Sequence, residues 1–166
     1  SRLGVGLDNI NLDFAKKSKI ATYKTQTTPA PAVAELTLGL ILDLFRKISY
    51  QNNLMKLGKW EKGMGLLLEG KTLGIIGLGT IGKKLDAITK GLNLKYIAYD
   101  IIQDVSFAME NGVQYVSLND IYSKSDIISI HLNLSNETRH LIDYSALSKM
   151  KKDAVLINTS RGEIID

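Results

Sequence analysis

The chain has 166 residues, of which 45% are hydrophobic and 23% charged, and its mean hydropathy is +0.01. The longest apolar stretch, Leu36–Leu42, is far shorter than the roughly 20 residues that span a bilayer, and the absence of cysteine excludes disulfides and thiolate chemistry. The net charge of +4 is carried by scattered lysine pairs, which are typical of a solvated surface and not of a nucleic-acid site. With two histidines only, we also expect no metal centre.

The first third of the chain is predicted to divide at a proline-containing segment. Pro29 and Pro31 are the only prolines, and both lie within residues 25–32. Before this boundary we expect a helix around Leu12–Ser18 and a strand near Ile20–Tyr23. After it, one long helix is predicted over 32–57, because apolar residues recur at helical spacing at Val33, Leu36, Leu40, Ile41, Leu44, Phe45 and Ile48. This stripe is wide enough to pack on its own domain, a partner subunit or both.

From Lys71 onward, short apolar runs alternate with amphipathic segments. The runs predict strands at Thr72–Ile76, Leu94–Tyr99, Val113–Val116, Asp126–His131 and Ala154–Asn158, with helices near 81–92, 105–110, 118–122 and 144–150. Two of the helix starts carry cap signals, at Ser117 and Asp143. Because strands this apolar are covered on both faces, the pattern indicates a doubly wound α/β domain with a parallel sheet.

A glycine motif follows the first of these strands. Gly77, Gly79 and Gly82 form a G-x-G-x-x-G, and Asp100 ends the next strand. In a dinucleotide site the glycines allow the turn, the backbone approach to pyrophosphate and the helix packing, while the helix N-terminus favours the phosphates. A carboxylate after the second strand accepts hydrogen bonds from the adenosine ribose and repels a 2′-phosphate, so the motif predicts NAD in preference to NADP.

One competing interpretation is a phosphate-binding P-loop. Residues 77–84 nearly match G-x-x-x-x-G-K, but Lys84 stands where Ser or Thr would hold magnesium. The P-loop motif also requires neither Gly79 nor Asp100, so the dinucleotide interpretation is favoured.

Two further segments follow predicted strands, and the topology brings them to the same edge of the sheet as the glycine motif. They are 131–133 and 159–162. Arg161 is suited to hold a carboxylate through two parallel hydrogen bonds, although a solvated loop arginine is the alternative. For His131 we favour a structural role, as a strand-end histidine with its hydrogen bonds satisfied.

Taken together, these residues resemble the D-isomer-specific 2-hydroxyacid dehydrogenase family, most closely its phosphoglycerate dehydrogenase branch. The resemblance covers essentially the whole chain, through the segments 2–10 (RLGVGLDNI), 33–37 (VAELT), 58–60 (GKW), 77–82 (GLGTIG), 99–100 (YD) and 158–162 (NTSRG). It implies a Rossmann-like NAD-binding domain over 25–166, incomplete at its C-terminal end, including the interdomain helix 32–57. Residues 1–24 would be the tail of a flavodoxin-like substrate domain.

The resemblance also implies roles for individual residues. Val5 and Gly6 would offer backbone amides to the substrate carboxylate, and Arg161 would hold that carboxylate and polarise the carbonyl during hydride transfer. The implied cofactor contacts are Gly77, Gly79, Thr80, Ile81, Gly82, Asp100, Leu132, Thr159, Ser160 and Arg161. A homodimer formed through the long helix and a cytoplasmic location are further expectations.

The chain departs from the family pattern at several positions, among them Gln26 and Ile101, where the family usually has proline. Asn133 stands where the family usually has the proline of His-x-Pro-Leu. The acid–base histidine and its glutamate partner would lie beyond Asp166, so we expect this chain alone not to turn over. Two alternatives remain open, namely an NAD(H)-sensing interaction module on the same fold and a relative that oxidises formate or phosphite. Among the 2-hydroxy acids, glyoxylate, hydroxypyruvate and lactate would use the same arginine.

Overall fold

A computed structural model of the chain describes residues 6–7, 10–23 and 28–166. The first helix, α1, spans Leu12–Lys17, close to its predicted position, and the Oδ1 atom of Asn11 caps it by accepting from the Phe14 amide at 2.8 Å. The strand predicted near Ile20–Tyr23 is wrong, because residues 20–23 have no regular structure. A strand needs a hydrogen-bonded neighbour, and no described strand pairs with this segment.

The single long helix predicted over 32–57 is also wrong. Two helices occupy this region: α2 spans Ala30–Arg46 and α3 spans Ile48–Lys56. Between them Lys47 has a left-handed backbone with a φ of 56°. The Asp43 carboxylate stabilises the break, since it accepts from the Ser49 amide at 2.6 Å and from the Ser49 hydroxyl at 2.8 Å. Periodicity alone did not reveal this change of direction, because the apolar residues continue through it.

The rest of the chain confirms the predicted doubly wound α/β domain. Its elements are β1 (Thr72–Ile76), α4 (Thr80–Thr89), β2 (Lys95–Tyr99), α5 (Val105–Asn111), β3 (Val113–Tyr115), α6 (Leu118–Lys124), β4 (Ile127–Ile130), α7 (Tyr144–Ser148) and β5 (Val155–Asn158). Short 3₁₀ turns lie at Lys90–Leu92 and Gly162–Ile164. All five strands are parallel, in the order β3-β2-β1-β4-β5. The strands therefore extend from β1 in two directions, with β2 and β3 on one side and β4 and β5 on the other, so the strand order reverses beside β1.

Helices cover both faces of the sheet, as the apolar strands require. Leu73 and Ile75 of β1 point to one face, where they join buried residues of α2, α4 and α5. Ile76 of the same strand points to the other face, where it packs with residues of α6 and α7. The alternation of side chains along β1 thus divides the core into two layers.

Helix α2 has two apolar faces, and within the part of the chain that the structure describes one is buried and the other is exposed. Its buried side consists of Ala30, Ala34, Thr37, Ile41 and Phe45. Of the predicted stripe, Ile41 and Phe45 are therefore buried, whereas the leucine row points outward, with Leu36 57%, Leu40 38% and Leu44 53% exposed. Of the helices in the described part of the chain, none is long and apolar enough to cross a membrane.

Candidate functional site

The strand register brings the predicted site segments to one edge of the sheet. Ile76 at the end of β1 is paired with Tyr99 of β2 and with Ile130 of β4, and Ile130 is paired with Asn158 of β5. The four segments that follow these residues therefore leave the sheet side by side at its carboxyl edge. This is the edge at which open parallel sheets bind their ligands.

The glycine loop joins β1 to α4 with little space to spare. Gly77 has a φ of +94°, which side-chain-bearing residues rarely adopt, and a Cβ added there would lie 2.7 Å from the carbonyl oxygen of His131. A Cβ added at Gly82 would lie 2.5 Å from the carbonyl oxygen of Gly77. A larger residue at either position would push the helix or the neighbouring loop away.

The start of α4 is suited to an anion. Gly79 is its N-cap residue. Among residues 6–7, 10–23 and 28–166, no side chain caps the helix, and none would lie within 4 Å of a Cβ added at Gly79. Thr80 and Ile81 open the helix, where amide groups and the helix dipole favour negative charge. These observations agree with the dinucleotide interpretation, which needs an uncapped helix start with room for a pyrophosphate.

Asp100 does more than the sequence predicted. Its Oδ2 atom accepts from the Leu78 amide at 2.8 Å, and its Oδ1 atom accepts from the Ile102 amide at 3.0 Å. One carboxylate thus holds the glycine loop and its own turn together while remaining partly exposed. Both carboxylate oxygens are thus positioned by backbone amides before any ligand binds.

A cleft of about 670 Å³ opens beside this carboxylate. It lies between the glycine loop and the start of α5, and its lining includes Leu78, Lys83, Asp100, Ile102, Asp104 and Ser106. Lys83 and Asp104 form an ion pair of 2.5 Å within this lining. The hydrogen bond from Lys83, with another from the Phe107 amide, lowers the pKa of Asp104 below its usual value. Sequence reasoning missed this pair, which joins residues 21 positions apart.

His131 follows β4 in a partly closed position. Its Nε2 atom lies 2.8 Å from the Ser129 hydroxyl, whereas Nδ1 is buried and has no hydrogen-bond partner among the described residues. Burial lowers the pKa of His131 to about 4, because removal from water penalises the charged imidazolium. His131 is therefore neutral near pH 7, and the expectation of fully satisfied hydrogen bonds holds for one of its two ring nitrogens.

The segment after β5 is held by Asn158, whose role the sequence did not reveal. Its Oδ1 atom accepts from the Ser160 amide at 3.0 Å and from the Ser160 hydroxyl at 2.6 Å, while Nδ2 donates to the Arg161 carbonyl at 2.8 Å. The guanidinium of Arg161 donates to the Ser160 carbonyl at 2.9 Å and stays partly exposed. The side chain of Asn158 thus fixes the backbone on both sides of the arginine.

Thr159 is fixed by a contact from a distant part of the chain. The fully buried Thr37 of α2 donates its hydroxyl to the Val33 carbonyl at 2.8 Å, and its oxygen lies 3.1 Å from the Thr159 hydroxyl. Because the Thr37 proton is used in the helix, Thr159 must donate in this pair. This orients the first residue of the arginine segment.

The remaining predicted site residues are only partly placed. Leu132 lies next to the glycine loop, where one of its methyl groups would be 3.0 Å from a Cβ added at Gly77. Gly6 is half-buried, and Val5 lies outside the described residues. The two amides expected to receive a substrate carboxylate are therefore not part of the geometry above.

Comparison with protein families gives one match over most of the chain. Residues 38–166 match the model of the D-isomer specific 2-hydroxyacid dehydrogenase NAD binding domain. Among curated relatives, the chain is 40% identical over 168 residues to the hydroxypyruvate reductase of Thermotoga maritima, covering 100% of this chain and 54% of the relative. It is 36% identical to the D-3-phosphoglycerate dehydrogenase of Methanocaldococcus jannaschii, covering 99% of this chain and 32% of that protein. The chain thus spans about half the length of the first relative and about a third of the second.

Solved structures give a concordant picture. The apo-structure of D-lactate dehydrogenase from Escherichia coli superimposes with a TM-score of 0.90 at 35% identity, over 97% of this chain and 51% of that one. The D-lactate dehydrogenase of Aquifex aeolicus, solved with NAD and lactic acid, superimposes with a TM-score of 0.86 at 33% identity, over 98% and 50%.

The buried His131 predicts a pH-dependent stability. Between pH 4 and pH 6.5, His131 binds more protons in the unfolded chain than in the folded one, because its pKa falls from 6.5 to about 4 on folding. The free energy of unfolding is therefore undiminished by this histidine above pH 6.5 and decreases as the pH falls toward 4. Between pH 7.5 and pH 5, the free energy of unfolding should fall by about 2 kcal/mol less in His131→Gln than in the parent chain. Urea denaturation of both proteins at the two pH values measures this difference.

A second measurement checks the same histidine directly. Between pH 7.5 and pH 5 the NMR signal of the His131 ring should move by only about a tenth of its full titration shift, and His140→Gln assigns the two histidine signals. A His131 titration centred near pH 6.5 would contradict the burial argument.

Proposed function

The chain belongs to the D-isomer specific 2-hydroxyacid dehydrogenase family, and on that premise we propose that it is the NAD-binding part of an enzyme that transfers a hydride between NAD and a 2-hydroxy or 2-oxo acid. One observation carries the proposal: the uncapped helix start, Asp100 and Arg161 follow strands that end side by side at one edge of the sheet. We assign residues 25–166 to this NAD-binding part and residues 1–24 to the end of a substrate domain.

The cofactor end of the site is proposed as follows. Thr80 and Ile81 would donate backbone amides to the pyrophosphate, and the Asp100 carboxylate would accept from the adenosine ribose. The three loop glycines permit close approach, while Leu132, Thr159 and Ser160 would border the nicotinamide. NAD supplies the hydride carrier, and these residues hold it in position.

The substrate end depends on Arg161. Its planar guanidinium can hold a carboxylate with two hydrogen bonds and can stabilise the negative charge that develops on the carbonyl oxygen. Asn158 fixes the backbone of this segment before substrate arrives, so that the arginine side chain extends from a fixed position. Val5 and Gly6 would supply further donors to the same carboxylate.

The identity of the acid is a separate question. Sequence reasoning favoured 3-phosphoglycerate, but the hydroxypyruvate reductase is the more similar of the two relatives described above, at 40% against 36% identity. We therefore propose a small 2-oxo acid, such as hydroxypyruvate or glyoxylate, as the substrate to be reduced. The phosphoglycerate assignment stays a prediction that the same experiment tests.

The proposed function makes a prediction about the cofactor. Asp100→Ala should weaken NADH binding by about 10- to 100-fold, because hydrogen bonds to a charged acceptor are lost. NADPH binding should weaken less, since the repulsion of its 2′-phosphate disappears as well. Fluorescence titration of the chain with both nucleotides measures the two affinities.

A matched control separates this effect from a general loss of charge. Asp153→Ala removes the same charge from an exposed position before β5, at the opposite edge of the sheet, and should leave both affinities unchanged. Unchanged NADH affinity in Asp100→Ala would refute the ribose assignment. A folded parent chain that fails to bind millimolar NADH would refute the cofactor role as a whole.

The second prediction concerns the arginine and the substrate. In the complete gene product, NADH oxidation should be measurable with at least one of glyoxylate, hydroxypyruvate, pyruvate and 3-phosphohydroxypyruvate. Arg161→Met should lower kcat/KM for that acid by about 1,000-fold, because a stabilising cation is lost from the transition state. Arg161→Lys keeps the positive charge but loses the planar pair of donors, so its kcat/KM should lie between those of the parent and of Arg161→Met.

The exposed Arg139 provides the control for this series, and Arg139→Met should retain the parent rate. If none of the four acids is reduced while NADH still binds, the proposed activity fails and a nucleotide-sensing role takes its place.

The third prediction concerns assembly, for which we propose a homodimer through α2. Leu36, Leu40 and Leu44 form an exposed apolar row along this helix, and Ile48 continues it at 54% exposure. Contiguous exposed apolar rows of this kind mark interaction sites. Sedimentation should show a dimer for the parent chain and a monomer for Leu40→Glu combined with Leu44→Glu, because a buried charge without a partner is costly.

Leu147→Glu makes the same change at a 43% exposed position on α7 and should remain dimeric. A monomeric parent chain at micromolar concentration would contradict the proposed dimer.

A further inference from the structure

The adenosine end of the proposed site contains a lysine that is already paired. Lys83 lies in the first turn of α4, where its ammonium contacts the Asp104 carboxylate at 2.5 Å and lies 5.0 Å from the centre of the Phe107 ring. The Lys83 and Asp104 side chains are 32% and 44% exposed, so both can be reached from the cleft. The lysine is therefore held at the start of α5 and is not free to turn toward a ligand.

This pairing sets the charge of the cleft. Three of its lining residues carry charge: Lys83 is positive, and Asp100 and Asp104 are negative. NADP differs from NAD by a phosphate on the adenosine ribose, and its binding requires a cation near that ribose. Lys83 is the cation of this lining, and Asp104 neutralises it.

We propose that Asp104 is a second determinant of NAD specificity, which acts by holding Lys83 away from a 2′-phosphate. Asp100 would repel that phosphate directly, while Asp104 withdraws the cation that could compensate for the repulsion. The inference rests on the proposed function, because it assumes that the adenosine half of the cofactor occupies the cleft beside Asp100. It adds Asp104 to the cofactor-binding groups that the sequence motif defines, which are the glycine loop and the ribose acceptor.

The second role of Asp104 decides which variant tests the proposal. Its Oδ1 atom caps α5 by accepting from the Phe107 amide at 3.0 Å, whereas Oδ2 holds the lysine. Alanine would remove both contacts and would shorten or loosen the helix. Asparagine caps a helix about as well as aspartate but carries no charge, so Asp104→Asn releases Lys83 while the cap is kept.

Calorimetric titration of the chain with NADH and with NADPH at low ionic strength tests the proposal. The parent chain should prefer NADH, and Asp104→Asn should shift the ratio of the two affinities toward NADPH by about fivefold, since an unpaired charge near the phosphate is partly screened by water. The gain should disappear in Lys83→Gln combined with Asp104→Asn, because the freed cation is absent. It should also shrink when the salt concentration is raised.

The possible failures are distinguishable. If the parent chain binds NADH and Asp104→Asn leaves the affinity ratio unchanged, Asp104 has no part in specificity, although the proposed function stands. If the ratio shifts equally in the single and the double variant, the effect does not pass through Lys83 and the proposal is overturned. If the folded parent chain binds neither nucleotide, the proposed function and this inference fall together.

Discussion

The close approach of backbone at Gly77 is the constraint on which the site depends. Its amide donates to the Tyr99 carbonyl at 2.8 Å, and its Cα faces the His131 carbonyl across a gap that admits no side chain. One residue thereby joins the ends of β1, β2 and β4. The loop can then turn directly into α4, so that the helix begins at the edge of the sheet with its amides pointing outward. A side chain at this position would force the loop away from the end of β4.

Charged groups around this loop have two tasks each. Asp100 holds the Leu78 amide and also presents the acceptor proposed for the ribose. Asp104 caps α5 and also restrains Lys83. Because each carboxylate is positioned by the fold before a ligand arrives, the groups that would recognise the cofactor are the groups that hold the loops together. A substitution of either carboxylate therefore alters the loop as well as the charge. A variant that tests one role must preserve the contact that serves the other.

The sequence predicted most of the fold because its signals are local. Apolar runs identified the five strands, and the predicted caps at Ser117 and Asp143 accept from the Asp120 and Ala146 amides. Three residues spaced as a motif, with Asp100 at the next strand end, were enough to locate the candidate site. The break at Lys47 could not be predicted, because it depends on one carboxylate reaching forward over the turn. The contacts between Thr37 and Thr159, and between Lys83 and Asp104, join residues that only the folded topology brings together.

Helix α2 shows how the parts of the molecule depend on one another. Its buried face carries Thr37, which orients Thr159 at the start of the arginine segment, while Leu36 and Leu40 on its outer face are exposed. The surface proposed for a second copy and the support of the arginine therefore belong to one rigid element. Hydride transfer requires the reacting groups to be held within fractions of an ångström, so rigid support for the arginine segment has direct value. A second copy seated on the leucine row would restrain α2 from outside as β5 and α4 restrain it from inside, and the arginine would then be held by a helix packed on both sides.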